Sequence, residues 1–213
     1  MLLAPKRGFV LLTPPKTAST AIEGAFRRYA EVSLQRNPFK HTNYAQFQHF
    51  LEPWLGSTGY LRDSYEVICV VREPIDWLNS WWRYRSREEL ARPSHPQHYR
   101  YVGHLSFEQF ARAYMGSHTG ERSDKGDKKF PRMGRPTRFL EPLPGEPEVD
   151  RVFRYERLDL LVGYLRGKVG VEVEVGLRNV SPKRSFSLSE ECERELRRFF
   201  TPEYELYERA VGG

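Results

Sequence analysis

The amino-acid sequence predicts an α/β fold, a three-layer domain in which helices flank a central, mostly parallel sheet. Three short apolar runs, at residues 9–13, 65–72 and 151–155, have the composition of buried strands. Segments with helical spacing of apolar residues separate these runs, and such alternation is typical of parallel sheets. Ligands bind such sheets at the carboxyl ends of the strands, where we therefore expect a site.

Each helix is predicted from apolar residues that recur every three or four positions. Pro74 suits the first turn of a helix, and Gly170 suits a helix end. Thr42 or Asn43, and later Ser106, suit N-caps. The predicted helices span residues 17–29, 44–55, 74–90, 106–115, 158–169, 189–200 and 203–211. Each predicted strand is thus followed by a helix.

The length and composition fit a single domain over residues 1–213. A mobile loop is expected at about residues 116–138, where Gly, Lys, Arg, Ser and Asp dominate. The two cysteines, Cys69 and Cys192, form no disulfide framework and no CxxC zinc motif, which favours a reducing compartment. The N-terminal residues do not fit a signal peptide, and no apolar run approaches the ~20 residues of a membrane span. We therefore expect a cytoplasmic protein with no membrane anchor.

The formal net charge of +6 indicates an anionic partner. Charge alone does not choose among a nucleotide, a nucleic acid, an acidic glycan and a membrane surface. The sequence has no RNA-binding or helix-turn-helix signature, so no nucleic-acid partner is expected. The oligomeric state is not specified.

The segment 9–29 predicts a strand, a loop and a helix that together can hold a phosphate. A helix that starts directly after a loop points free N–H groups, and the positive end of its dipole, at one place. Lys16 adds a full charge, and Ser19 and Thr20 add hydroxyl donors. The alternative is an ordinary strand–helix unit with Lys16 on the surface and Thr17 as the N-cap. The candidate binding residues are Pro15, Lys16, Thr17, Ala18, Ser19 and Thr20.

This segment lacks the features of an ATP-hydrolysing site. A Walker A motif needs glycines before its lysine, and no glycine lies between Gly8 and Gly24. The second strand ends in Arg72, followed by Glu73, and not in an acidic residue that would hold magnesium. Arg72 and Ser80, two helical turns further on, suit a second phosphate monoester instead. The alternative is that Arg72 pairs with a carboxylate and Ser80 only packs.

These segments resemble the donor-binding motifs of sulfotransferases that use 3′-phosphoadenylyl sulfate (PAPS). Residues 15–20 resemble the 5′-phosphosulfate loop of the family, and residues 72–80 resemble its 3′-phosphate segment. Residues 152–158 are similar to a strand-to-helix segment, and residues 178–183 with 202–207 are similar to the C-terminal pattern. The motifs follow one another in the family order over most of the chain.

The resemblance implies a sulfotransferase domain with a fold like that of P-loop NTPases. It implies transfer of a sulfuryl group from PAPS to a hydroxyl, less often an amine, with release of 3′-phosphoadenosine 5′-phosphate (PAP) and without a metal. By analogy with phosphoryl transfer, in-line displacement at sulfur requires positioning and charge stabilisation. The class of the acceptor is not specified.

The resemblance also assigns roles to residues of this chain. Lys16 would stabilise the departing 5′-phosphate beside the N–H groups of residues 17–20. Arg72 and Ser80 would hold the 3′-phosphate, and Lys183 or Arg184 would close over it. Ala18 departs from the family, which usually has glycine there, so the fit of the loop backbone to the phosphosulfate is in question at this residue.

An acceptor hydroxyl needs a general base, and His41 is our candidate. It follows Lys40 in a loop after the first helix, where family members often place a catalytic histidine. The alternative is a loop histidine bonded to the backbone, and Glu23 on the first helix is a second candidate base. His95 and His98 lie in an aromatic, basic stretch that could line the acceptor site.

The helix 74–90 is rich in both aromatic and basic residues. Its aromatic residues are interpreted as core packing against the sheet, and the alternative is a platform for the acceptor; they are Trp77, Trp81, Trp82 and Tyr84. Its arginines, Arg83, Arg85 and Arg87, are interpreted as a solvated face that could also attract an acidic acceptor. Two other functions stay open at this point, a nucleotide kinase of P-loop-like fold and a non-catalytic binder of an acidic polymer.

Overall fold

The computed structural model describes residues 1–36, 39–119, 133–176 and 186–212. The chain divides into two compact units. The first unit comprises Met1–Glu73, Arg135–Asn179 and Glu205–Gly213. The second comprises Pro74–Gly134 and Val180–Tyr204.

The first unit is built on a five-stranded sheet with the order β3-β1-β2-β4-β5. The strands are β1 (Leu2–Ala4), β2 (Phe9–Leu11), β3 (Val32–Ser33), β4 (Glu66–Val71) and β5 (Arg151–Arg154). β4 runs parallel to both β2 and β5. β1 runs antiparallel to both β2 and β3. The carboxyl ends of β2, β4 and β5 therefore lie at one edge of the sheet.

The α/β class is confirmed, but the prediction of a mostly parallel sheet is wrong, because two of the four strand pairings are antiparallel. β1 and β3 were not predicted; β3 has two residues, which is too short to show a pattern. β1 and β2 form a hairpin around the 3-10 turn Pro5–Arg7. Gly8 closes that turn with a φ of +74°, in the left-handed region that favours glycine. Two apolar runs around a short turn with glycine carry a hairpin signal that would have found β1.

The helices, in chain order, are α1 (Ser19–Phe26), α2 (Tyr44–Gln46), α3 (Glu52–Ser57), α4 (Pro74–Arg85), α5 (Glu88–Ala91), α6 (Phe107–Thr119), α7 (Pro136–Leu140), α8 (Leu158–Val169), α9 (Glu190–Phe199) and α10 (Thr201–Arg209). A π-helical turn, Phe47–Leu51, joins α2 to α3. Asn43, one of the two residues predicted as the cap, caps α2 by accepting a hydrogen bond from the N–H of Gln46. None of the described helices combines the length and apolar character needed to cross a bilayer.

Helices cover both faces of the sheet within the first unit. Successive strand residues point to opposite faces, so the apolar strand β4 needs cover on both. Val67, Cys69 and Val71 share one buried cluster with residues of α2 and α3. Ile68 and Val70 share the other with residues of α1 and α8. Each fully buried aliphatic side chain contributes about 1.5–3 kcal/mol to the hydrophobic free energy of folding. The predicted helix–sheet–helix layering is present in this unit.

The second unit has a separate aromatic core formed by α4, α6 and α9. Trp77 makes edge-to-face contacts with Tyr114 and Phe200, at ring-centre distances of 6.1 and 6.4 Å. The N–H of Trp82 donates to the carbonyl oxygen of Leu105 at 3.0 Å. These two tryptophans are buried core residues, as predicted. The predicted packing against the sheet is wrong for them, because the cluster that holds them consists of residues from helices and loops of the second unit.

Several helix boundaries differ from their predictions. The predicted helix 74–90 ends at Arg85, and α5 follows as a separate turn. α6 begins after Ser106, as predicted, but extends to Thr119. The beginning of the predicted mobile loop, 116–138, therefore belongs to α6 and its end to α7, while residues 120–132 lie outside the described residues.

Candidate functional site

The loop between β2 and α1 has an unusual backbone. Lys16 and Ala18 have φ angles of +72° and +58°, in the left-handed region that residues other than glycine rarely adopt. Each costs about 1–2 kcal/mol there, and such strain concentrates at ligand sites. Ala18 is the N-cap and α1 starts at Ser19, two residues later than predicted. The change from left-handed Ala18 to right-handed Ser19 is the kind of backbone that turns N–H groups into an anion-binding concavity.

The hydroxyl groups of this loop have different partners. The Thr17 hydroxyl donates to the carbonyl oxygen of Pro14 at 2.8 Å, so it holds the turn and is not the N-cap of α1. Ser19 is buried in the first turn of α1, and its hydroxyl makes no hydrogen bond to another described residue. The exposed Thr20 hydroxyl accepts a hydrogen bond from the Lys40 ammonium at 3.0 Å. Two hydroxyl groups therefore stand at the start of α1, beside its free N–H groups.

Arg72 connects the loop to the neighbouring strands. Its guanidinium donates to the carbonyl oxygen of Lys16 at 3.3 Å and lies over the Tyr155 ring, 4.1 Å from the ring centre. Arg72 itself comes directly after β4, Tyr155 comes directly after β5, and Lys16 lies in the loop after β2. One side chain thus joins the carboxyl ends of all three parallel strands, at the sheet edge where a site was expected.

His41 lies against the beginning of the same loop. Its Nδ1 is 2.6 Å from the carbonyl oxygen of Thr13, which can only accept a hydrogen bond. Nδ1 therefore carries the proton, and Nε2 presents a lone pair. Burial lowers the pKa of His41, although the hydrogen bond to Thr13 opposes this. The imidazole is neutral at neutral pH and able to accept a proton at Nε2.

Glu23, the second candidate base, is buried among donors. Its carboxylate accepts from the Thr13 hydroxyl at 3.0 Å and lies 3.5 Å from the Lys40 ammonium. The α-ammonium of Met1 also contacts it. The carboxylate therefore positions its neighbours, above all Lys40, which reaches Thr20 from the other side.

Lys40 is a charged side chain of this site that the sequence analysis did not single out. It places a second ammonium beside the start of α1, between Glu23 and Thr20. The signal in the sequence was only its position next to His41. The contact across the loop depends on the fold, because Lys40 and Thr20 are twenty residues apart.

The other candidate binding residues are Ser80, Lys183 and Arg184. Ser80 is buried in α4 of the second unit, whereas Arg72 belongs to the first. Lys183 and Arg184 lie outside the described residues. The structure therefore brings together the residues from the loop, Arg72 and His41, all within the first unit.

A cavity of about 380 Å³ lies along α1. Its lining includes Ala21, Gly24, Ala25 and Arg28, which share one face of the helix by their spacing. Glu174 and Gly176 line it as well. Small residues on this face leave the space open, and its volume is in the range of small-molecule sites.

Among the described residues, no group of three or more His, Cys, Asp or Glu side chains is arranged to hold a metal ion. Comparison of the chain with protein-family models, curated proteins and solved structures finds no match. The function of the site is therefore inferred from the chemistry of its own residues.

Proposed function

We propose that the protein is a sulfotransferase of P-loop-NTPase-like fold, which transfers a sulfuryl group from PAPS to an acceptor hydroxyl and releases PAP. The observation that carries this proposal is the strained loop at Lys16 and Ala18, linked to Arg72 at the carboxyl ends of the parallel strands. The resemblance of residues 15–20 and 72–80 to the donor motifs supplies the identity of the ligand.

The groups at the loop suit a doubly anionic nucleotide. The N–H groups of residues 17–20 and the Ser19 hydroxyl are all donors, and the start of a helix favours negative charge. Lys16 contributes a cation that stabilises charge on the departing phosphate, and Lys40 keeps a second cation beside Thr20. The Arg72 fork supplies paired donors for another phosphate.

PAPS, when bound, supplies the sulfuryl group and the leaving phosphate. His41 is the residue that takes the proton from the acceptor hydroxyl, through Nε2. The Thr13 carbonyl fixes this tautomer and stabilises the imidazolium that forms. Glu23 is less suited to this role because its carboxylate is already engaged by Thr13 and Lys40.

The cavity along α1 suits the adenosine part of the donor. Its lining begins at Ala21, two residues after Ser19, so a nucleotide with its 5′-phosphate at the loop can extend along the helix. Gly24 has no side chain to fill the space, and Arg28 adds a cation at the far end of the helical face.

Donor binding is tested by thermal unfolding with PAP and, separately, with ADP and magnesium. PAP at a hundred times its Kd stabilises the folded protein by about 2.7 kcal/mol, which appears as a higher Tm. ADP lacks the 3′-phosphate and is expected to give a much smaller shift. A shift with ADP and magnesium but none with PAP would contradict the proposal and favour the nucleotide kinase.

Turnover is tested with radiolabelled PAPS and a panel of hydroxyl acceptors. We expect labelled product with at least one acceptor, and loss of about 10²–10³-fold in kcat for Lys16→Met, because a charge that stabilises the transition state is removed. Lys6→Met, at an exposed position in the β1–β2 turn, is the matched control and should keep full activity. Binding of PAP with no transfer to any acceptor would leave a nucleotide-binding protein and overturn the enzymatic part.

A further inference from the structure

The backbone directly after β4 carries Arg72 and is held by a carboxylate from the segment after β5. The last pair of the β4–β5 ladder is Val71 with Arg154, so Arg72 lies one residue beyond the strand pairing. The N–H of Glu73 donates to the Glu156 carboxylate at 3.2 Å. That N–H belongs to the planar peptide that joins Arg72 to Glu73. Glu156 therefore fixes the backbone at Arg72 after the ladder has ended.

The second oxygen of the Glu156 carboxylate is held by the helix α10. The Tyr207 hydroxyl donates to this oxygen at 3.0 Å. Burial, and then this hydrogen bond, raise the pKa of Tyr207 to about 12, so the hydroxyl stays protonated and donates at neutral pH. An ionised carboxylate only accepts hydrogen bonds, so two donors on its two oxygens keep it in one orientation.

Tyr207 is in turn fixed against β5. The Arg154 guanidinium lies 4.3 Å from the centre of the Tyr207 ring, and its Nε donates to the Tyr207 carbonyl oxygen at 3.0 Å. The backbone after α10 pairs with β5 as well, because the N–H of Val211 donates to the carbonyl oxygen of Val152 at 2.8 Å. The Tyr207 hydroxyl is therefore held in place at the edge of the sheet.

The segment after β5 contacts both the side chain and the backbone of Arg72. Tyr155 lies under the guanidinium group, and Glu156, the next residue, holds the peptide that follows Arg72. The residues in these contacts all belong to the first unit. They lie in or beside two segments, 152–158 and 202–207, that resemble the sulfotransferase family and have no role in donor binding so far.

We propose that Tyr207 and Glu156 are positioning residues that orient Arg72 for the 3′-phosphate, and that they thereby set the preference of the donor site for PAP over nucleotides with a 5′-phosphate alone. This inference rests on the proposed sulfotransferase function. A guanidinium group donates two parallel hydrogen bonds to a phosphate only in the matching orientation. Loss of the Tyr207 hydroxyl releases the Glu156 carboxylate, and with it the peptide after Arg72. The 3′-phosphate then binds more weakly, whereas the N–H groups of residues 17–20 still hold the 5′-phosphate.

The test is titration calorimetry of PAP and of adenosine 5′-monophosphate (AMP), which lacks the 3′-phosphate. In Tyr207→Phe and in Glu156→Gln we expect PAP to bind about fivefold more weakly, as for the loss of one hydrogen bond, and AMP to stay within about twofold of the unchanged protein. The preference for PAP over AMP therefore falls. Tyr60→Phe, which removes a hydroxyl from the segment before β4 in the same unit, is the matched control and should keep the preference.

Combination with Arg72→Gln separates positioning from a general structural role. Once the guanidinium group is removed, Tyr207→Phe should have no further effect on PAP affinity, because residues that act through one another are not additive. Three outcomes would overturn the inference: an equal loss for PAP and AMP, an equal loss with and without the Arg72 substitution, or full PAP affinity in both Tyr207→Phe and Glu156→Gln.

The unchanged protein, measured in the same titrations, tests the proposed function separately. If it prefers PAP over AMP and both variants keep that preference, only this inference is removed. If it binds neither nucleotide, the proposed function fails and this inference fails with it. If it binds the two nucleotides equally, the proposed role of Arg72 at the 3′-phosphate is overturned together with the positioning role.

Discussion

Ala18 stands in a backbone conformation that ordinarily selects glycine, at the position where the resemblance to sulfotransferases implies a glycine. The departure noted in the sequence therefore coincides with a φ of +58°. The backbone keeps the shape that a glycine would allow, at an energetic cost. The β-carbon of Ala18 is the extra atom, and it lies at the start of α1 where the phosphate is proposed to bind.

Replacing Ala18 by Gly should stabilise the protein by about 0.5–1 kcal/mol. Relief of the left-handed strain, about 1–2 kcal/mol, exceeds the greater freedom that glycine gives to the unfolded chain, about 0.5–1 kcal/mol. Urea unfolding measures the change. Ala25→Gly, in the right-handed part of α1, is the control and should lose about 1 kcal/mol. A similar loss in Ala18→Gly would contradict the strain at this residue.

Replacing His41 by Ala should lower kcat by about 10²–10⁴-fold and leave the affinity for PAP within a factor of about three. In the unchanged protein, kcat should fall as pH decreases through a pKa below 6.5, because burial lowers the pKa of His41 and only the neutral form accepts a proton. Steady-state rates and PAP titrations over pH measure both. His49→Ala, at an exposed position, is the control. Equal losses in kcat and PAP affinity would make His41 a binding residue.

At the scale of elements, Glu66 connects β4, β5 and α8 at the amino ends of the parallel strands. It begins β4, accepts from Arg151 of β5 at 3.0 Å, and lies 2.9 Å from the Lys168 ammonium of α8. The Tyr164 hydroxyl of α8 also contacts it. Burial raises the pKa of Glu66, but the hydrogen bonds from these neighbours outweigh it and lower the pKa to about 2.

The free energy of unfolding should therefore depend on the ionisation of Glu66. Its folded pKa lies below its unfolded value, so its contribution is present above pH 4.5 and is lost as pH falls towards 2. Allowing for solvent at this partly exposed site, we expect about 1–2 kcal/mol. Urea unfolding of Glu66→Gln at pH 7 and at pH 3 should show the full loss at pH 7 and a clearly smaller loss at pH 3. Glu172→Gln, at a largely exposed carboxylate, should behave like the unchanged protein.

At the scale of the whole molecule, the strands β2, β4 and β5 and most helices were predictable, the strands from short apolar runs and the helices from apolar residues that recur every three or four positions. β1 was missed although its hairpin with β2 has a signal in the sequence, and β3 was not predictable, since it has two residues and pairs with a distant segment. The contacts of Arg72 and His41 with the loop depend on backbone carbonyls, which have no signature in a sequence. The residue types of the site were readable, but their partners required the fold.

The net charge of +6 and the cations around the loop predict that binding of the proposed donor depends on salt concentration. Raising potassium chloride from 50 to 500 mM should weaken PAP binding by about tenfold or more, because exposed charges are screened. Adenosine, which lacks phosphates, should bind weakly and equally at both salt concentrations. Titration calorimetry measures the two affinities, and a PAP affinity that does not change with salt would contradict a site built on these cations.

The loop from Pro14 to Ala18 contains no glycine, and two hydrogen bonds hold it, one within the loop from the Thr17 hydroxyl to the Pro14 carbonyl oxygen and one from the Arg72 guanidinium to the Lys16 carbonyl oxygen. A glycine-rich loop has more conformational freedom and loses more of it when it becomes ordered. Here the chain has fewer alternative conformations, so the site proposed for the phosphate is already formed before binding. Binding at this site then costs little conformational entropy. The energetic cost of the strained backbone at Lys16 and Ala18 is part of the free energy of folding and not of binding.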